Sequence, residues 1–253
     1  MAVSRMGDVE KASFSIFLAC LHNKPESQSK SNLVVSDSLF SMDGDIANLQ
    51  KIYSKVQNNG GLLLVDEAHA LGVYGENGRG LVNKSSLNKK LNTFITGTFG
   101  KAVGTFGAFF SGDKDSVDYI IQKARSYIYS TSLPINAVEA TRKSLKIVEE
   151  ENWRREKLFS LINYFRKNIN KSGFSVLDSS SQIQALLIGS SKDALYLSEE
   201  LFKNGIYIPA IRPPTVEEGK SRLRISITTD HQESDIDHLI NILHTISRNL
   251  VQS

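Results

Sequence analysis

Cysteine is almost absent from this chain. Cys20 is the only one in 253 residues, so no disulfide can close within it, and the composition suits a reducing compartment. No CxxC or HExxH occurs, and no second histidine stands at ligand spacing from His69, so the sequence offers no metal-binding set. A block of like charge is also missing. Thirty Lys and Arg face 27 Asp and Glu, a net charge of +3 spread along the chain, and nothing calls for nucleic acid or an anionic membrane as partner. The apolar run from Ala12 to Leu21 is too short to span a bilayer. Arg5 precedes it, but Asp8 and Glu10 cancel the basic segment and no small-x-small cleavage site follows, which favours a core helix over a signal peptide. A cytoplasmic protein is expected. Internal repeats and low-complexity segments are absent.

What is present is ordinary globular material, 40% hydrophobic and 23% charged, enough for one large domain or two modest ones. The forty residues from Leu62 to Lys101 organise it. Leu62–Val65 is a short apolar run that stops at Asp66 and, three residues on, His69; Phe94–Thr96 is another that stops at Thr98 and Lys101. Such runs fit buried strands of a mostly parallel sheet, in which ligands bind beyond the carboxyl ends. Asp66, His69, Thr98 and Lys101 are therefore expected to converge.

Upstream, residues 22–32 with Pro25 read as a loop containing His22, and Leu33–Val35 as a strand. Asp45 is expected to cap a helix carrying Ile46, Leu49, Ile52, Tyr53 and Val56, and Gly60-Gly61 closes this strand–helix–strand unit. Downstream, Phe106–Phe110 reads as a strand, Val117 to Ile128 as an amphipathic helix, and Pro134 opens a long helix with a break near Asn152-Trp153 that ends at Ser172-Gly173. Strand-like runs over Phe174–Leu177, Ile183–Ile188, Ile206–Ala210 and Leu223–Ile227 then surround a helix over Ala194–Lys203. A closing helix follows, with Asp230 and Glu233 as its capping box. The expected fold class is α/β: a mostly parallel domain over residues 31–150, an α+β domain over 151–253, and a divergent N-terminal segment, 1–30.

Three chemistries compete for the central stretch. VDEAH after an apolar strand evokes a nucleotide motor, but Gly97 and Gly100 are two residues apart where a P-loop needs four, Ala102 stands in place of Ser or Thr, and the lysine follows the acidic strand. A metal on Asp66, Glu67 and His69 lacks further ligands. A pyridoxal phosphate (PLP) site needs a lysine for the cofactor aldehyde, a carboxylate for the ring nitrogen, and hydroxyls with backbone N–H groups for the phosphate. Lys101, Asp66 and Thr98 in GTFGKAVG have that chemistry.

The segments VSDSLFSMDGD, VDEAHALGVYGENGRG, TGTFGKAVGTFGAF, IYSTSLP and IRPPTVEEGKSRLRISIT occur in the order found in the α-oxoamine synthases, fold-type I PLP enzymes, which this chain resembles from about Leu33 to its last helix. IRPPTV followed by RLRI resembles the branch that condenses L-alanine with a pimeloyl thioester of coenzyme A or a carrier protein, giving 8-amino-7-oxononanoate for biotin; glycine-using relatives are the alternative. The resemblance implies that Lys101 holds PLP and acts as base on alanine, and that Asp66 pairs with the ring nitrogen. His69 and Ser41 would bond the phenolic oxygen, and Thr98 the phosphate. Arg224 would clamp the alanine carboxylate, and Thr215 would touch the acyl substrate. It implies a homodimer, with Ser130, Thr131 and Ser132 near the partner's phosphate. Arg212 and Arg222 read as exposed or lightly paired. Family members have a substantial part before VSDSLFSMDGD, where this chain has only residues 1–34. The large domain is thus expected to be incomplete, and a truncated product, a split enzyme or a non-catalytic remnant or partner subunit all stay open.

Overall fold

A computed structural model describes residues 33–90 and 92–251; the run at Ala12–Leu21, Cys20 and His22 lie outside the described residues. These residues divide into two units, Leu33–Leu39 with Ala47–Glu150, and Phe40–Ile46 with the residues from Glu151 onward.

The first unit is built on a four-stranded sheet of order β1-β2-β3-β4: β1 (Leu33–Asp37), β2 (Leu62–Asp66), β3 (Thr93–Thr98) and β4 (Ala108–Ser111). β1, β2 and β3 run parallel, and β4 lies antiparallel to β3. β2 is flanked on both sides, and Leu63, Leu64 and Val65 are buried, the continuous apolar pattern that an interior parallel strand requires. Between β1 and β2 runs α1 (Leu49–Asn58). Asn48, rather than Asp45, caps it by accepting the Lys51 N–H at 3.1 Å. Asp45 instead gives its carbonyl to Phe40 N–H in a turn, which leaves Ile46 outside the helix. β4 starts two residues later than expected, because Gly107 turns with φ 115° and leaves Phe106 exposed. After a short α2 (Leu81–Lys84), the helix expected over Val117–Ile128 is two pieces, α3 (Lys114–Lys123) and α4 (Arg125–Ile128), split where Ala124 is extended. α5 (Ile135–Glu150) and α6 (Asn152–Asn168) are separated at Glu151, as the sequence anticipates.

The second unit begins with α6 and a 3₁₀ turn, Ile169–Ser172, ended by left-handed Gly173. Its antiparallel sheet has order β5-β7-β6, with β5 (Ile183–Gly189), β6 (Ala210–Ile211) and β7 (Ser221–Ser226); α7 (Ser191–Lys203) and α8 (Glu233–Val251) complete it. Phe165, Leu186, Leu197, Leu201, Leu223 and Leu243 form its core, each fully buried. Two expected strands shrink. Phe174–Leu177 contributes only a bridge from Val176 to Leu186. In Ile206–Ala210 the backbone is spent otherwise: Ile206 N–H closes α7 on the Leu201 carbonyl, and Ile208 O accepts from Ser198 Oγ at 2.6 Å. Pro209 then has no N–H to offer a ladder. The box at α8 also differs, with Asp235 reaching back to the Gln232 N–H at 2.8 Å in place of the Asp230–Glu233 pair. Among the described residues no helix is long and apolar enough to cross a membrane, and no cluster of three potential metal ligands occurs.

The Phe40–Ile46 turn is seated in this unit through Gly44. Its φ is 76°, and an added Cβ would lie 2.2 Å from Ile183 O and 2.5 Å from Ser179 Oγ. Gly44→Ala should therefore cost about 3 kcal/mol or more, from the left-handed backbone and the overlap together. Urea unfolding of the chain measures this; a loss below about 1 kcal/mol would mean that the turn is loosely held.

Candidate active site

β2 and β3 end side by side, with Asp66 in register with Thr96. Beyond these ends the chain turns at once on both strands. Asp66 Oδ1 accepts the Ala68 N–H at 2.7 Å, an Asx turn that carries the backbone off the sheet and presents His69. Thr98 Oγ1 accepts the Gly100 N–H at 3.1 Å and donates to Gly107 O at 3.2 Å, folding the GKAVG turn over the end of β3. The two turns bring Lys101 Nζ to 2.7 Å from His69 Nε2. An ammonium has only donors, so with Lys101 charged the imidazole accepts at Nε2 and carries its proton on Nδ1.

Asp66 faces the same space. Burial raises its carboxyl pKa above the usual range, and the Ala68 N–H and the Lys101 charge only partly oppose this. The first unit thus brings together four of the residues singled out from sequence, a carboxylate, an imidazole, an amine and a hydroxyl. The other three are in the second unit. Arg224, half-buried on β7, donates from Nε to Ser41 O at 2.6 Å and from Nη1 to Ser226 Oγ at 3.1 Å, and burial lowers its pKa. Ser41 is therefore joined to Arg224 through its carbonyl. Thr215 is exposed in a turn closed by its own N–H on Arg212 O at 3.0 Å, and no described hydrogen bond ties its side chain to Arg224. Ser130, Thr131 and Ser132 are exposed.

Two residues carry more than the sequence suggested. Glu67 was weighed only as a metal ligand, yet it is 1% exposed and bound by three donors: Ser38 Oγ at 3.0 Å, Leu81 N–H at 3.0 Å and Val82 N–H at 2.5 Å. Burial raises its pKa, against these donors, which lower it. Successive residues at the end of β2 point to opposite sides, so Glu67 anchors the glycine-rich GENGRG loop while Asp66 faces Lys101. Gly80, at φ 91°, leaves room for it: a Cβ there would sit 2.6 Å from Glu67 Oε2. The run of glycines after VDEAH was the available signal. Arg222, expected to be exposed or lightly paired, is 5% exposed and forms an ion pair with Asp43. The Asp43 carboxylate supplies the counter-charge that lets this guanidinium leave solvent.

Residues 10–243 match the sequence profile of the family described as Aminotransferase class I and II. The chain belongs to that family. It is 43% identical to the 8-amino-7-oxononanoate synthase of Saccharophagus degradans over 216 residues, 85% of this chain and 54% of that protein. A crystal structure of 8-amino-7-oxononanoate synthase from Francisella tularensis superposes with a TM-score of 0.75 at 28% identity, covering 92% of this chain and 67% of that one. A serine palmitoyltransferase from S. paucimobilis, solved with a bound PLP–myriocin aldimine, superposes with a TM-score of 0.83 at 27% identity, covering 96% and 60%. The chain thus spans little more than half the length of the curated relative. As a class I and II aminotransferase-family protein it has the fold-type I α/β architecture, with a mixed sheet in the first unit.

Two measurements test this description. Glu67→Ala leaves three donors facing a void and should cost on the order of 3 kcal/mol in denaturant unfolding. For Asp66 the folded pKa lies above the unfolded one. Its ionisation therefore costs nothing below the unfolded value and destabilises increasingly as pH rises to the folded value. Asp66→Asn keeps the Oδ1 acceptor, so without added ligand it should melt higher than wild type at neutral pH, the gap closing below the ordinary aspartate range. Melting scans at graded pH would expose the opposite order.

Proposed function

We propose that the chain carries the PLP-dependent condensation of L-alanine with a pimeloyl thioester, releasing the thiol of coenzyme A or of a carrier protein together with carbon dioxide and giving 8-amino-7-oxononanoate for biotin synthesis. One observation carries this reading: the Lys101–His69 contact at 2.7 Å beside a carboxyl, Asp66, that burial leaves short of counter-charge. The residues fit the cofactor on that ground, because a protonated ring nitrogen supplies the missing cation for Asp66. When bound, PLP supplies the electron sink for a carbanion at the alanine α-carbon.

In this reading Asp66 holds the ring nitrogen protonated, His69 donates to the phenolic oxygen together with the Ser41 hydroxyl, and Thr98 bonds a phosphate oxygen. Lys101 Nζ would hold the cofactor, and as a base it would take the alanine α-proton and return one at the end of the reaction. Arg224 binds the alanine carboxylate, for which a planar fork suits better than an ammonium. Thr215 meets the acyl chain.

The assembly proposed is a homodimer, with Ser130, Thr131 and Ser132 at its interface. Tyr127, Ile128, Tyr129, Leu133 and Ile135, all in or beside that stretch, are exposed, an apolar surface of the kind a partner covers. A cytoplasmic setting belongs to the same proposal. Identity of 43% over 216 residues to an 8-amino-7-oxononanoate synthase supports this branch; among the solved structures, identities of 28% to such a synthase and 27% to a serine palmitoyltransferase do not separate the two.

Mixing the protein with PLP should give a visible absorbance band and, after borohydride reduction, a cofactor adduct mapped by mass spectrometry to Lys101. Lys101→Ala should lose both. With alanine and pimeloyl-CoA, the same variant should lose at least about a thousandfold in turnover. Label scattered over surface lysines would instead indicate a non-catalytic remnant or partner subunit.

A further inference from the structure

Phe40–Ile46 lies between β1 and α1 in sequence, yet it belongs to the second unit. Three attachments hold it there. Arg224 Nε donates to Ser41 O at 2.6 Å, Arg222 pairs with the Asp43 carboxylate, and Ser179 Oγ donates to Gly44 O at 2.9 Å. Ser179 is itself fixed: its Oγ accepts the Ser181 N–H at 3.1 Å, while its carbonyl takes Arg166 Nη1 at 2.7 Å and Gln184 Nε2 at 2.9 Å. The turn therefore rests on a hydrogen-bonded floor at its Gly44 end.

Arg222 and Arg224 are two apart on β7 and so share a face, which lets both guanidiniums reach this turn. Arg222 donates from Nε to Lys220 O at 3.0 Å, which aims its Nη1 at Asp43. A buried guanidinium demands a counter-charge, and the Asp43 side chain, 47% exposed, has no comparable need. The pair therefore holds the turn to the strand more than it holds the strand.

We infer that Asp43 and Arg222 are positioning residues for Arg224. By tethering the turn that carries the Ser41 carbonyl, they fix the acceptor of Arg224 Nε and so the direction of its guanidinium fork. On the proposed reading of Arg224 as carboxylate clamp, this sets the affinity for alanine without Asp43 or Arg222 touching the substrate. An arginine with Nε anchored gives up little rotamer freedom when it meets a carboxylate; one released from Ser41 must be ordered on binding.

The test uses Asp43→Asn, which removes the charge and keeps the volume. In ¹⁵N NMR spectra the Arg224 Nε–H signal is assigned by its loss in Arg224→Lys, and its solvent exchange is measured against the backbone amides of β7. Exchange should accelerate at least about tenfold in Asp43→Asn, the equivalent of losing one modest hydrogen bond, while the β7 amides stay unchanged. Asp43→Glu should restore much of the protection. Unchanged Nε–H exchange, or acceleration shared equally with β7, would overturn the inference. Separately, L-alanine titrated into PLP-loaded protein and followed by absorbance should bind about tenfold more weakly to Asp43→Asn. If Nε–H exchange accelerates but neither Asp43→Asn nor Arg224→Lys changes alanine affinity, the positioning stands and the clamp reading of Arg224 fails.

Discussion

Nearly everything in the first unit depends on one buried carboxylate. Glu67 draws the glycine-rich loop back over the end of β2 by taking the Leu81 and Val82 N–H groups, and it takes the Ser38 hydroxyl from the end of β1. A desolvated carboxylate is costly unless its lone pairs are filled, so the three donors and Glu67 require one another. The consequence for chemistry is indirect. With Glu67 committed inward, Asp66 is left on the opposite side of the strand end. The turn that follows, pinned by Ala70 and Leu71 N–H groups on Glu67 O, brings His69 to Lys101. The reactive side of the crevice is thus shaped by a residue that faces away from it.

How much of this was legible in the sequence depended on the range of the interactions. The apolar runs Leu62–Val65 and Phe94–Thr96 announced their strands because burial on both faces leaves an unbroken pattern. The abrupt stops at Asp66 and Thr98 announced the strand ends where ligands bind. Caps were less legible: Asp45, Asn48, Asp230 and Gln232 all sit near helix starts, and choosing among them needs the backbone path. The short strands near Val176 and Ala210 were overcalled because apolar alternation says nothing about Pro209 or about a carbonyl already taken by Ser198. Arg222 and Glu67 were undervalued for a different reason. A buried charge is made tolerable by partners far away in sequence, Asp43 in one case and Ser38 with Leu81 in the other, and no local pattern encodes that pairing.

The Phe40–Ile46 turn illustrates the same limit and its functional side. In sequence it is a polar stretch between a strand and a helix of the first unit. Its contacts are with β5, β7 and the Ser179–Ser181 loop of the second. Gly44 admits it because only a residue without Cβ clears Ile183 O. Ser41 was singled out as a cofactor contact and Arg224 as a substrate clamp, both as what the family resemblance implies. Their 2.6 Å hydrogen bond means that a change at either is felt at the other.

The charges left over in each unit indicate what kind of ligand would complete them. Asp66 is pushed toward its neutral form by burial, and Arg224 likewise toward its neutral form. Structural ion pairs offset part of such penalties within the fold, as Asp43 does for Arg222, whose pKa burial still lowers. Among the described residues neither Asp66 nor Arg224 has such an ion pair: one has a backbone N–H and a lysine shared with His69, the other a carbonyl and a hydroxyl. A ligand with a cationic ring nitrogen answers the first and a carboxylate answers the second. A cationic ring nitrogen and a carboxylate are the ionic features that the proposed cofactor and the proposed amino-acid substrate offer. The burial of Asp66 and of Arg224 is thus in keeping with the role proposed for each.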